Sequence, residues 1–206
     1  VKSVPRSNGG VALFTTGGAI LIDGSAAEIG FEPANLISYG MTLAAGDLSG
    51  LMLNGRAIKT GSEDGALRGG SLSAQFEIRD QLAPDAQNQL DAVARDIVER
   101  FETFAPIVGG VTQAGLFTDN GNSFDDLNET GLAGRIEVNQ IVDVNQGGAA
   151  WKIRDGLDAI VPGDVGDATL LQAMGDALNF ARTPWSGEFG SGSFSALNLS
   201  TTMLSV

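Results

Sequence analysis

The chain has 206 residues with no histidine and no cysteine, and its 12 basic and 25 acidic residues give a net charge of -13. The missing side chains exclude Ser-His-Asp and Cys-His catalysis, disulfide bonds and cysteine-type zinc sites within this chain. The negative charge disfavours nucleic acid and anionic membrane surfaces as partners, because both attract proteins through Lys and Arg. We therefore expect no enzymatic activity, no cofactor and no metal.

The first third of the chain has the pattern of short β-strands. Two apolar runs, Val11–Thr15 and Ala19–Asp23, are joined by Thr16-Gly17-Gly18, and paired glycines tolerate the positive φ that a tight hairpin needs. Further short apolar runs follow, separated by Gly, Pro and Asn. No helical period is sustained, so we predict a β-rich subdomain over residues 1–66.

A long helix is predicted next, over residues 71–105, with Ser71 as its N-cap. Pro84 interrupts it, because proline lacks a backbone N–H and clashes with the carbonyl four residues earlier. Two interpretations remain: one helix kinked near Ala83, or a short helix followed by a longer one that starts at Pro84. Apolar residues recur at helical spacing on the same face before and after Pro84, and this continuous apolar stripe favours the kinked helix.

The remainder is less regular. Residues 106–166 are predicted to form irregular loops with short strands, and residues 135–146 alternate well enough for one strand or two. A second, shorter helix is predicted over residues 167–181, capped by Asp167. The Ser/Gly-rich segment after it predicts a flexible C-terminal tail. The fold class is thus α+β, with a β-rich subdomain (1–66) followed by a helical subdomain (67–206).

The acidic segment Asp119–Glu129 invites comparison with a calcium-binding loop. A loop of the EF-hand type needs oxygen ligands at positions 1, 3 and 5. Counting from Asp119 puts Gly121 at position 3, and counting from Asn120 puts Phe124 at position 5. Both registers fail, so a solvated acidic loop is the favoured interpretation.

The stripe of the long helix is the feature with the clearest functional meaning. Its spacing alternates between three and four residues, which is typical of a seam that packs against other helices. The second helix is too short to cover all of it, so part of this seam is expected to lack its partner within the chain. The seam residues are Leu72, Phe76, Arg79, Ala83, Leu90, Val93, Ile97 and Phe101.

Arg79 is the one charged residue on the seam, and two interpretations of it stay open. It either forms a buried ion pair that fixes how the helix docks, or lays its aliphatic stem over the stripe with its guanidinium in water.

Several motifs of this chain, taken in order, resemble the flagellar hook-associated protein 1 (FlgK) family. The hairpin at residues 11–29 is similar to a Gly-Gly hairpin of that family, and "GRIEVNQ" is similar to its Ile-x-Val-Asn strand. The long helix is similar to the family segment in which a Gly-Gly-(Lys)-Leu start leads to a Leu-Leu-x-Phe-Arg-Asp motif, with Ser71 in the place of the lysine. The matching helix positions are Gly69, Gly70, Leu72, Phe76, Arg79, Asp80, Leu90, Ala94 and Phe101.

The resemblance implies a central fragment of a structural axial protein of the bacterial flagellum, without the family's terminal helices. Such a protein joins hook to filament by subunit packing, outside the cell, after export without a cleaved signal peptide. Its implied partners are copies of itself, the hook protein, the second junction protein and an export chaperone. The alternative is a secreted or surface adhesin-like binding module without catalysis.

Overall fold

The computed structural model describes residues 1–60, 65–108, 110–189 and 191–203. The chain divides into two compact units, Val1–Ala86 and Gln87–Val206. The first contains two small antiparallel sheets and the start of the long helix. The second contains the rest of that helix, short strand pairs and short helices, so the predicted α+β class is confirmed. The predicted domain boundary between residues 66 and 67 stays a prediction.

The predicted hairpin is present in the first unit. A four-stranded antiparallel sheet has the strand order β1-β2-β3-β4, and a second sheet has the order β5-β6-β7. The strands of the unit are β1 (Lys2–Pro5), β2 (Val11–Phe14), β3 (Ile20–Asp23), β4 (Ser25–Ala26), β5 (Ile29–Gly30), β6 (Leu51–Leu53) and β7 (Arg56–Ile58). Asn54 and Gly55 link β6 to β7 with φ of 50° and 73°, as a type I′ turn requires.

The hairpin turn between β2 and β3 packs against the segment that leads into the long helix. The Thr16 hydroxyl donates a hydrogen bond to the Arg68 carbonyl at 2.8 Å. A Cβ atom at Gly17 would lie 2.2 Å from the carbonyl oxygen of Gly65, so only glycine fits there. The Gly pair therefore forms the turn and also lets the backbone of the turn lie directly against the segment around Gly65.

The long helix is continuous through the proline, as the favoured interpretation predicts. It consists of α1 (Gly70–Glu77), a π-helical turn (Ile78–Leu82) and α2 (Ala83–Glu102). The N–H of Ala83 donates to the carbonyl of Ile78, five residues back. This wider turn accommodates Pro84, which has no N–H to continue the α-helical ladder.

The predicted N-cap of the long helix is wrong. The N-cap residue is Gly69, with φ of 76° and no side-chain capping bond, and Ser71 lies inside the first turn. Glycine reaches this backbone conformation without steric cost, so the helix begins one residue earlier than the predicted start.

The second unit has its strands in two pairs and its apolar core beside α2. Strand β8 (Ile107–Val108) pairs with β9 (Val111–Thr112), and β10 (Phe117–Asp119) pairs with β11 (Ile136–Val138). The segment that could have held one strand or two therefore holds one, β11. The core comprises Phe101, Leu116, Val142, Leu157 and Met174.

The described residues of the unit also form three shorter α-helices, α3 (Lys152–Asp155), α4 (Thr169–Asn179) and α5 (Ala196–Met203), and several short 3-10 turns. The predicted second helix corresponds to α4. The predicted cap at Asp167 is wrong: the N-cap residue of α4 is Ala168, which makes no side-chain capping bond, whereas Asp167 accepts hydrogen bonds from the Thr169 N–H at 2.9 Å and the Thr169 hydroxyl at 2.7 Å. The sequence did not predict α5, in which Leu199 is buried, and the flexible C-terminal tail stays a prediction.

None of the helices within the described residues is long and apolar enough to cross a membrane.

Candidate functional site

The seam residues that lie in the first unit differ in their exposure. Phe76 is buried and Arg79 half-buried, whereas Leu72 is 45% exposed and Ala83 is exposed. Phe76 packs edge-on against Phe31 with ring centroids 5.9 Å apart. One edge of the stripe therefore contacts the β-rich part of the unit, and the other remains open.

Arg79 connects the helix to the β-rich part of the same unit. Its guanidinium pairs with Asp80 at 2.6 Å and 3.1 Å and donates to the Ser49 carbonyl at 3.0 Å. It also lies 4.8 Å from the centre of the Phe76 ring, within cation–π range. The ion pair is half-buried and is formed with the next residue of the same helix, so the contact that reaches the β-rich part is the hydrogen bond to Ser49.

An open apolar cavity of about 370 Å³ adjoins these contacts, lined by Phe31, Leu51, Leu72, Gln75, Phe76 and Arg79.

In the second unit the seam residues are covered to increasing depth along α2. Leu90 is 50% exposed, Val93 and Ile97 are half-buried, and Phe101 is 6% exposed. Ile97 and Phe101 pack in or against the apolar core of this unit. The C-terminal end of the stripe thus has its partner within the chain, whereas Leu90 is half exposed.

A second face of α2, which the apolar pattern did not indicate, carries buried charged residues. Asp91, Arg95, Asp96 and Arg100 are all less than 10% exposed. A buried charge is costly unless it is paired and hydrogen-bonded, so each of these side chains needs partners.

Asp91 holds the loop before β11. Its carboxylate accepts hydrogen bonds from the N–H groups of Gly131 at 2.6 Å and Ala133 at 2.7 Å. The side-chain amide of Gln87, one turn earlier on α2, donates to it at 2.8 Å. A single side chain therefore satisfies two loop N–H groups and ties the loop to the helix.

Asp91→Ala is expected to lower the free energy of unfolding by about 2–3 kcal/mol, because it leaves N–H groups in the loop without an acceptor. Urea titration followed by tryptophan fluorescence measures it, since Trp151 and Trp185 both belong to the second unit. Asn88→Ala, at an exposed position one turn away, is the matched control. Equal stability of the two variants would contradict the anchoring role.

Arg95 holds the acidic loop that resembled a calcium site. Its guanidinium donates to Glu99 at 2.6 Å, Glu129 at 2.7 Å and Asp126 at 2.8 Å. Burial lowers the pKa of Arg95, but the hydrogen bonds that it donates to Glu99 and Glu129 outweigh burial and raise the pKa above its ordinary value. The loop carboxylates serve internal ion pairs.

The other acidic residues of this loop are also engaged. Asp119 pairs with Arg135 at 2.6 Å, and Asp125 accepts from the N–H of Leu127 at 3.0 Å. Over the described ranges, no group of three or more acidic side chains is placed to hold a metal ion.

Asp96 and Arg100 join three parts of the second unit. Asp96 accepts from Arg100 at 2.6 Å and from Arg182 at 2.8 Å. Arg100 also donates to the carbonyls of Ala177 at 2.6 Å and Phe180 at 2.7 Å, at the C-terminal end of α4, and to Phe194 at 2.9 Å. A cation at this end of α4 complements the helix dipole.

A sequence signal for these contacts exists but is ambiguous. Arg95 and Glu99, and likewise Asp96 and Arg100, are four residues apart, which is the spacing of ion pairs on a helix surface. Such pairs are usually solvated. Burial here follows from loops that are distant in sequence, and spacing within the helix cannot reveal it.

Glu102 lies beside Arg95 and Arg182, in a cavity where carboxylates outnumber guanidinium groups. Burial raises the pKa of the Glu102 carboxyl above its ordinary value, and Glu99 and Asp126 raise it further. The positive charges of Arg182 and Arg95 lower the pKa of Glu102, but by less than burial and the carboxylates raise it. The cavity at this end of α2 is therefore negatively charged despite its two guanidinium groups.

Two features of the site thus point to a structural role: an open apolar edge on the long helix, and charged contacts that fix loops to it. The model of the flagellar hook-associated protein FlgK helical domain matches residues 1–116, which include both sheets of the first unit and the whole long helix. No curated protein and no solved structure matches the chain. Because the match covers more than half of the sequence, the chain belongs to the FlgK family of flagellar hook-associated structural proteins.

Proposed function

We propose that this chain is part of the wall of the junction between hook and filament, and joins the two by subunit packing. The match to the FlgK helical domain over residues 1–116 carries this proposal. Its partners are then copies of itself, the hook protein and the second junction protein. The β-rich segment 1–66 faces outward, and residues 67–206 form the wall. Export proceeds without a cleaved signal peptide and with a chaperone, and the chain catalyses no reaction.

The open apolar edge of the long helix supports packing between subunits. In the first unit the seam residue Leu72 is 45% exposed, and the seam residue Ala83 is exposed as well. Contiguous apolar surface is seldom left in water, so side chains at such positions are typical of protein–protein contacts. We propose that the seam residues not covered by the chain, Leu72, Ala83 and Leu90, contact helices of neighbouring subunits.

Deleting the gene for this chain tests the proposed function. We expect electron micrographs to show cells with hooks but without attached filaments, and motility to return when the gene is restored. Intact flagella together with a loss of surface attachment would contradict the proposal and favour the adhesin-like alternative.

Leu90→Asp tests the packing surface. Leu90 is half exposed, so we expect the free energy of unfolding to change by less than about 1 kcal/mol. Self-association, measured by sedimentation velocity, should weaken, because a charge replaces an apolar contact. Gln89→Asp, at the neighbouring half-buried polar position, adds the same charge as a control. Unchanged association of Leu90→Asp, or equal weakening by the control, would count against the seam.

A further inference from the structure

An open cavity of about 770 Å³ lies at the C-terminal end of α2, within the second unit. It is lined by Arg95, Glu99, Glu102, Phe124, Asp125, Asp126, Leu127, Arg182 and Trp185. Trp185 is 79% exposed and Leu127 is 91% exposed. Exposure of this extent is uncommon for tryptophan, which is on average highly buried. The cavity therefore combines an open aromatic surface with charged walls.

The aromatic surface is already supported by a cation. The Arg95 guanidinium carbon lies 5.3 Å from the centre of the Phe124 ring and 6.0 Å from that of Trp185. Because Arg95 is also engaged by Glu99, Asp126 and Glu129, it is fixed in this place. It holds the two rings at the cavity and leaves most of the indole open to a ligand.

The charge of the cavity indicates which ligand fits. Four of its lining side chains are carboxylates, and its two guanidinium groups are already paired. The pKa of Glu102 is raised mainly by burial, and the nearby carboxylates of Glu99 and Asp126 add to the shift. A cation beside carboxylates and over an indole gains both Coulomb attraction and a cation–π contact. The cavity is therefore suited to a Lys or Arg side chain of a partner.

The distribution of charge along the chain indicates where such a cation can come from. The second unit has six basic and sixteen acidic residues, and all six basic side chains are engaged within it. Their internal partners include carboxylates for the five arginines and the carbonyls of Leu157 and Ala159 for Lys152. A second copy of this unit can therefore offer only repulsion at the cavity.

The first unit has six basic and nine acidic residues, and it keeps part of its positive charge exposed. Within the described part of the chain, the exposed side chains of Lys2, Arg56 and Lys59 have neither a hydrogen bond nor an ion pair. Arg56 and Lys59 lie only three residues apart, on and just after β7, an edge strand of its sheet.

We propose that the Trp185–Glu102 cavity of one subunit binds Arg56 and Lys59 of a neighbouring copy of this chain. The contact joins two different surfaces, so it is heterologous, and such contacts can be repeated from subunit to subunit. It rests on the proposed function, since it supplies one of the contacts between subunits. The charges also set its orientation, because contact between two second units is repulsive.

The test compares the wild-type chain with two charge variants by sedimentation velocity at low and high salt. The first variant, Glu102→Lys, places a cation of the same chain in the cavity. The second variant carries both Arg56→Glu and Lys59→Glu, which reverse the charge of the partner surface. We expect the wild-type chain to associate at low salt and dissociate as salt rises. Each variant alone should associate at least about tenfold more weakly, and an equimolar mixture of the two should regain association.

Asp158→Lys is the matched control, because it makes the same charge change at an exposed position outside the cavity lining. A urea titration of each variant establishes that it is folded. Equal weakening by Asp158→Lys, no recovery in the mixture, or a wild-type chain that stays monomeric at low salt would each overturn this contact. A deletion strain with hooks but no filaments would still support the proposed function, so the two can fail separately.

Discussion

Asp96→Asn is expected to lower the free energy of unfolding by about 3–5 kcal/mol, the usual cost of breaking a buried ion pair. Asp96 is 1% exposed and is the shared acceptor of Arg100 and Arg182. An amide in its place carries no charge, so the Arg100 guanidinium remains buried with only carbonyl partners. Contacts from α2 to the end of α4 and to the segment around Phe194 should weaken together.

Urea unfolding followed by tryptophan fluorescence measures this change in the second unit alone, since both tryptophans belong to it. A two-unit chain need not unfold in one step, and a signal specific to one unit avoids that problem. Asp176→Asn, on the exposed side of α4, makes the same chemical change and should alter stability by less than about 0.5 kcal/mol. Similar small losses for both variants would show that the Asp96 network does not hold the unit together.

Phe101→Ala is expected to cost about 3–5 kcal/mol as well, by a different mechanism: it removes a large ring from the core and leaves a cavity. Phe101 is 6% exposed and contacts Phe117 and Phe104 edge-on, with ring centroids 5.0 Å and 6.2 Å apart. The same urea titration measures the loss. Phe180→Ala, which removes a ring that is 67% exposed, is the matched control.

The Phe101→Ala variant also distinguishes the C-terminal end of the seam, which lies in the core, from the more exposed part around Leu90. If Phe101 belongs to the core of its own unit, its replacement lowers stability without a specific effect on association between subunits. A folded Phe101→Ala variant with near wild-type stability and weakened association would contradict this assignment, and would place Phe101 at an intersubunit contact.

The hairpin and the long helix could be predicted because their signals are local. Gly17 and Gly18 lie between two apolar runs, and the stripe from Phe76 to Phe101 has a helical period that continues through Pro84. The manner in which the helix passes the proline could not be predicted. The π-helical turn over Ile78–Leu82 is one of several ways to accommodate a missing N–H, and the sequence does not select among them.

The buried charges of α2 could not be assigned from the sequence because their partners are distant along the chain. Asp91 binds backbone N–H groups some 40 residues later, and Arg182 reaches Asp96 from 86 residues away. A pattern that sorts residues into apolar and polar faces places both sides of such contacts in solvent. The seam prediction therefore described the apolar contacts of α2 and missed the polar half of its packing.

The helix α5 was missed for a related reason. Residues 196–203 form a segment of eight residues, four of them apolar, which directly follows a Ser/Gly-rich stretch, and its sequence alone does not predict a helix. Among its described side chains, Leu199 is buried, which shows that the segment has a place in the fold. Weakly amphipathic helices gain most of their stability from tertiary contacts, and these cannot be read from a short stretch of sequence.

The proposed place of this chain, in the junction between hook and filament, is tested most directly by immunogold labelling of isolated flagella with antibodies raised against the chain. We expect gold particles confined to the point where hook meets filament, and none in preparations from a deletion strain. Label spread over the cell surface, or along the whole filament, would contradict it.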